Sequence, residues 1–235
     1  KDWNPDIALD IHEFTPFRKE FKLLRGSASA TASDVLFLPS GHLNISTGIR
    51  QLSNGLFREK AVRALEANGY SSGFYFTPSI KNDSLYAAKD AKSPQSSSTF
   101  QGLTNAVSLF IEIRGIGLGR TSFARRAECG FLVSRSILET ATVHFKEVRN
   151  TIQKAIKETR AGKEDIYVTF QPTRTEFPIS FIDLNKNEYF TETIPTFDAL
   201  QLKADLVRKR PKAYILPDTC IVQAEKLRAL GLEVE

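Results

Sequence analysis

The chain has 235 residues, 41% hydrophobic and 25% charged, the balance of an ordinary globular protein rather than a disordered one. That length allows one large domain or two modest ones, with a core that needs no disulfide or metal staple. Two cysteines, Cys129 and Cys220, exclude a disulfide-rich scaffold and an all-cysteine zinc site. The 32 Lys and Arg against 27 Asp and Glu give +5, spread along the chain with no aromatic-basic platform, which argues against a nucleic-acid partner. No apolar run approaches the roughly 18 residues of a membrane span. Methionine is absent, and the opening turn at Asp2-Trp3-Asn4-Pro5 runs straight into a strand, so we expect these residues to belong to a longer functional unit.

In chain order, Ile7–Ile11 reads as a buried strand ending at His12. Val35–Leu38 is a second strand, and residues 46–68 carry helical spacing at Ile49, Leu52, Leu56, Val62 and Leu65, stopped by Gly69. Phe74-Tyr75-Phe76 reads as a strand. Residues 79–99 are rich in Ser, Lys and Asp and predict a long mobile loop. Val107–Ile113 is apolar at both parities, as in a central strand covered on both faces. Residues 122–159 follow a helical pattern too long for one globular helix, so a break is expected, and Gly162 ends it. Strands are expected at 166–170, 177–184 and 189–194, with a turn at Asn185-Lys186-Asn187. Ala213–Leu216, a helix at 219–230 and Leu232–Val234 complete the chain. The elements predict an α/β fold, a mixed central sheet with helices on both faces and a small strand-rich C-terminal region. The change near 162 is the candidate boundary between units 1–161 and 162–235.

Three histidines narrow the search for chemistry. His12 ends a buried strand, where ligand crevices form in open α/β sheets, and Asp10 shares its strand face. Such a histidine either binds metal while the carboxylate orients its other nitrogen, or is a core residue satisfied by a neighbour. Glu112 lies near the end of the most apolar strand. A carboxylate there must be paired, metal-bound or protonated, and desolvation suits it to general-base work near neutral pH. The competing reading is an ion pair with Arg114. His42, in Pro39-Ser40-Gly41-His42, reads as a loop residue, and the repeat Gly115-x-Gly117-x-Gly119 as a turn over the cleft rather than a phosphate cradle.

Asp10-Ile11-His12-Glu13-Phe14 is followed, 112 − 12 = 100 positions on, by Phe110-Ile111-Glu112-Ile113-Arg114-Gly115-Ile116-Gly117-Leu118-Gly119. This order resembles the zinc carboxypeptidase family typified by carboxypeptidase A, most of all a bacterial branch whose strands read Asp-x-His-Glu and Ile-Glu-x-Arg-Gly. The likeness covers roughly residues 1–130 and returns at Arg210–Tyr214 and Glu225–Glu235. It implies a zinc cofactor, a peptide or amide substrate, His12 as a zinc ligand and Glu112 as the general base that activates water. On this likeness, 1–161 is the C-terminal part of a catalytic domain and 162–235 a small α+β region. The family's first two zinc ligands, a His-x-x-Glu motif, precede its strand-end histidine, and only eleven residues precede His12. His144-Phe145-Lys146-Glu147 has that spacing but follows Glu112, and we read it as a solvated helix face. The family's loop tyrosine is matched by Tyr86, 112 − 86 = 26 positions before the base. Phe14 stands where many members have tyrosine. Arg114 and Arg120 are candidates on the substrate side; Arg125 and Arg126 read as exposed helix charges. A non-catalytic peptide- or protein-binding member of the same fold is the rival reading.

Overall fold

In a computed structural model, which describes residues 5–90 and 92–235, two mixed sheets carry the chain. The opening turn at 2–4 lies outside the described residues.

The first sheet has the order β1 (Ile7–Phe14), β7 (Val107–Arg114), β3 (Val35–Leu38), β4 (Ser72–Phe74). β1 runs parallel to β7, β7 antiparallel to β3, and β3 parallel to β4. The odd-numbered residues of β7 and β3, Val107, Leu109, Ile111, Val35 and Phe37, are fully buried and anchor the main core. Covering them are a helix wound as α1 (Thr47–Gln51), a π stretch (Leu52–Phe57) and α2 (Arg58–Glu66), together with α4 (Phe123–Val143) and α5 (Phe145–Ala161). The expected break in the long helical region falls at His144, whose φ of −99° and ψ of 20° leave the helix for one residue. The even-numbered face is covered at one end by α3 (Ser97–Leu103), where the Ser108 hydroxyl donates to the Ser98 carbonyl at 2.6 Å.

β7 is central, as its composition predicts. β1 pairs only with β7 among the described residues, and Ile11 is 41% exposed. An apolar run cannot reveal how many neighbours a strand has, because side-chain burial and backbone pairing are set by different contacts.

The second sheet, ordered β2-β8-β9-β6-β5, joins β2 (Ser29–Thr31), β5 (Thr77–Lys81) and β6 (Ser84–Lys89) to a long hairpin of β8 (Ile166–Asp183) and β9 (Glu188–Arg208). It therefore draws strands from both sides of residue 162. Its core is Phe21, Phe76, Leu85, Ile179, Phe181 and Ile194 with their neighbours. A buried ion pair ties β6 to β9, Lys89 Nζ lying 3.3 Å from Asp198 Oδ2 and 3.6 Å from the Phe177 ring centroid.

Two expectations are corrected here. Residues 79–99 are not a long loop: Asn82 and Asp83, both at positive φ (49° and 54°), close the tight β5–β6 hairpin, and α3 follows. The three expected strands of 166–194 are two long ones. Pro172 and Pro178 do not interrupt β8, because among the described residues the strand is bonded to backbone on the side away from β9 only at 180–183. Proline is tolerated along such an edge. Near the C-terminus, α6 (Ile221–Ala229) matches the expected helix. No described helix is long and apolar enough to cross a membrane.

Candidate active site

Parallel pairing of β1 with β7 places His12 opposite Glu112 and Asp10 opposite Phe110. Side chains alternate along a strand, so Asp10, His12, Phe110, Glu112 and Arg114 share one face, opposite the helix-covered core. The sequence separation of 100 residues collapses to adjacent positions on neighbouring strands.

Asp10 Oδ1 lies 2.8 Å from His12 Nε2. A carboxylate only accepts, so Nε2 carries a proton, and in the neutral imidazole Nδ1 keeps its lone pair. Ser97, on α3, donates its hydroxyl to the other Asp10 oxygen, so the carboxylate is held at both ends. The imidazole tilts on the Phe110 ring with centroids 4.9 Å apart, and Tyr75 meets the same ring edge-on at 5.9 Å. His12 is half exposed.

Glu112 is 6% exposed, and its Oε2 has no hydrogen-bond partner among the described residues. Burial raises its pKa above the ordinary carboxylate value; the charges of His12 and Arg18 pull it down and that of Asp10 pushes it up. The expected alternative, an ion pair with Arg114, does not form. Arg114 Nε is itself buried without a partner, and burial, with the nearby Arg125 charge, lowers its pKa.

The outward turn of the chain is fixed by Glu13, on the opposite face of β1. Arg126 of α4 grips its carboxylate with two bonds, at 2.7 and 2.6 Å, and Arg125 holds Asp34 at 2.8 Å. These two arginines are structural clamps, not the exposed charges their helical pattern predicts. Gly115 is needed at this point, since a Cβ there would lie 2.3 Å from the Glu13 carboxyl carbon. Gly117 and Gly119, at φ of 83° and 55°, complete the expected turn after β7.

The remaining predicted residues lie apart from this group. Arg120 is exposed on that turn. Tyr86 sits on β6 in the second sheet, stacked on Phe197 with centroids 6.0 Å apart. His144 pairs with Glu147 at 2.9 Å on an exposed helix surface, as expected for a solvated face. His42 is in a loop but buried; its Nδ1 accepts from the Asn44 amide at 3.2 Å, and burial with the Arg50 charge lowers its pKa. Sequence reasoning missed Ser97, Arg18 and Tyr75, which carry no motif and reach the site only through tertiary packing.

Toward a zinc ion this arrangement offers one nitrogen, since in the neutral imidazole His12 Nδ1 has no hydrogen-bond partner among the described residues, with the buried Glu112 Oε2 in register on the neighbouring strand. The described residues contain no group of three His, Cys, Asp or Glu able to hold a metal by themselves.

No family model matches the chain, and no solved structure matches it. Curated relatives do. The chain is 32% identical over 237 residues to a probable carboxypeptidase 2 of Arthroderma benhamiae and to one of Trichophyton verrucosum, covering 99% of this chain and 44% and 45% of those proteins. It is 31% identical over 242 residues to carboxypeptidase 2 of Trichophyton rubrum, covering 99% of this chain and 43% of that protein. The chain thus spans less than half the length of these relatives. Along nearly all of its own length, it is similar to fungal proteins named as carboxypeptidases.

Proposed function

We propose that this chain is part of a zinc-dependent metallocarboxypeptidase that hydrolyses a peptide or amide bond. The observation that carries the reading is the register of His12 against Glu112, with Asp10 occupying Nε2 and leaving Nδ1 open. The likeness to relatives named carboxypeptidase supports the same reaction class.

A catalytic zinc takes three protein ligands and keeps one position open. His12 would supply one of the three, and residues outside these 235 the others. When bound, zinc supplies Lewis acidity and lowers the pKa of water. Glu112 removes a proton from the attacking water and delivers it to the leaving nitrogen. Desolvation raises its affinity for the proton, which suits a base working near neutral pH. Arg114 and Arg120 would serve on the substrate side, Arg114 only after its buried Nε is uncovered. Tyr86 would take part only after its ring leaves Phe197.

In the complete protein, Glu112→Gln should retain zinc and lose about 10²- to 10⁴-fold in kcat, the usual contribution of a positioned base. Near-native turnover would remove Glu112 from the mechanism. His12→Ala should lose zinc by metal analysis; equal zinc content in both proteins would overturn the ligand assignment.

A further inference from the structure

The 39–46 loop leaves β3 and holds the β8–β9 hairpin against the first sheet at three points. Gly41 abuts β9, where an added Cβ would overlap the Ala199 carbonyl oxygen, so only glycine lets the two backbones come this close. The Asn44 side chain makes both bonds that a neighbouring strand would make to Tyr167 of β8. Its Nδ2 donates to the Tyr167 carbonyl at 2.9 Å, and its Oδ1 accepts from the Tyr167 amide at 2.9 Å. His42 lies between these two contacts in sequence and is 5% exposed. Its ring meets Phe170 of β8 edge-on, with centroids 4.8 Å apart.

The His42 imidazole sets Asn44 in place. Its Nδ1 accepts from the Asn44 backbone amide at 3.2 Å, closing the two-residue turn that Asn and Asp side chains often close. An accepting Nδ1 is unprotonated, so the proton of the neutral ring sits on Nε2. A second proton would turn Nδ1 into a donor facing another donor, in a place with little water to solvate the charge.

The surrounding groups give that second proton no support. From α1 comes Arg50, whose Nε is itself buried without a partner among the described residues, and whose charge acts against protonation of His42. From β8 come the uncharged Phe170 ring and Tyr167. From β9 the nearby carboxylate is Asp198, already engaged by Lys89 at 3.3 Å and by the Leu200 amide at 2.9 Å. From α3 comes the Thr99 hydroxyl, bonded to that of Ser40 at 2.9 Å. Glu158, Glu164 and Asp165 line a neighbouring cleft with Arg50 and Tyr167, and are not among the charges that act on His42.

We propose that His42 is an acid-released latch between the two sheets. Neutral, it fixes Asn44 on β8; protonated, it frees the 39–46 loop and loosens the β8–β9 hairpin from the first sheet. The latch shares no residue with the Asp10–His12–Glu112 group and stands independently of the hydrolase reading. Burial and Arg50 hold the proton affinity of the fastened ring below the ordinary pKa of 6.5, whereas the released ring regains it. Acid therefore favours release. The opening equilibrium should rise by up to about tenfold per pH unit below 6.5, levelling off once the fastened form is protonated as well.

The test is amide hydrogen exchange on the complete protein between pH 7.5 and 5, with each rate corrected for the intrinsic pH dependence of exchange. The Asn44 and Tyr167 amides, both donors in the latch, should lose protection by roughly tenfold or more across that range. His42→Asn keeps an acceptor in the same turn and has nothing to titrate, so this loss should vanish. If that variant fails to fold, Arg50→Gln removes the opposing charge, narrows the gap between fastened and released rings, and should shrink the loss. Protection independent of pH in the native protein overturns the latch. So does an equal loss in His42→Asn, or an undiminished one in Arg50→Gln.

Discussion

Replacing Glu112 with glutamine keeps the side-chain shape and removes the charge, so the two proteins should differ in how stability depends on pH. Glu112 is 6% exposed and leaves Oε2 unpartnered, a condition that costs about 1–3 kcal/mol for a buried polar group and more for a charged one. The pKa of the folded state is raised by burial, so the folded protein holds this proton to higher pH than the unfolded chain does. Below the ordinary carboxylate range both states are protonated and the residue carries no ionisation penalty. As pH rises through the interval between the unfolded and folded values, stability falls by up to about 1.4 kcal/mol per pH unit, then levels off once both states are ionised. Glutamine has no such dependence. The advantage of Glu112→Gln over the native chain should therefore grow from acid toward neutral pH and reach about 1–2 kcal/mol, allowing for the offset from His12 and Arg18. In a chain of this size that is roughly 2–8 °C in Tm. Urea titrations and thermal melts across pH 4 to 8 measure it directly. Parallel pH curves for the two proteins would refute the claim that Glu112 is a desolvated carboxylate.

Gly115→Ala should cost about 1–3 kcal/mol by driving the Glu13 carboxylate off Arg126, and Glu13→Ala should absorb most of that cost. Strict additivity in the double-mutant cycle would contradict the clash. Ile111→Ala, at a fully buried central position, should destabilise by about 2–5 kcal/mol, whereas Ile11→Ala on β1 should cost well under half as much. Equal costs in denaturant would argue against the difference in burial between Ile11 and Ile111. Ser97→Ala should loosen Asp10, so the ¹⁵N shifts of the His12 imidazole should move from one dominant tautomer toward a mixture. Unchanged shifts would remove Ser97 from the positioning of His12.

Apolar patterning located β7 and β3 as continuous apolar runs, and the α1–α2 helix and the long α4–α5 region by their helical spacing. The two site strands were legible for a further reason: a histidine and a glutamate set at the ends of apolar runs stand out chemically. What the sequence could not contain is the registration of β1 on β7, which depends on contacts between segments 100 residues apart. The same limit hid the β5–β6 hairpin, whose second strand pairs with β9 at Ala87, Ala88 and Lys89, and the continuity of β8 through two prolines. Arg125 and Arg126 look like solvated charges in a helical pattern and become clamps only when α4 is laid against β1 and the residue 34 turn. Local spacing encodes which face of an element is apolar, but which partner that face meets is decided by packing of the whole chain. Ser97 on Asp10, Arg18 near Glu112 and the orphaned Arg50 Nε therefore emerged only from the tertiary structure.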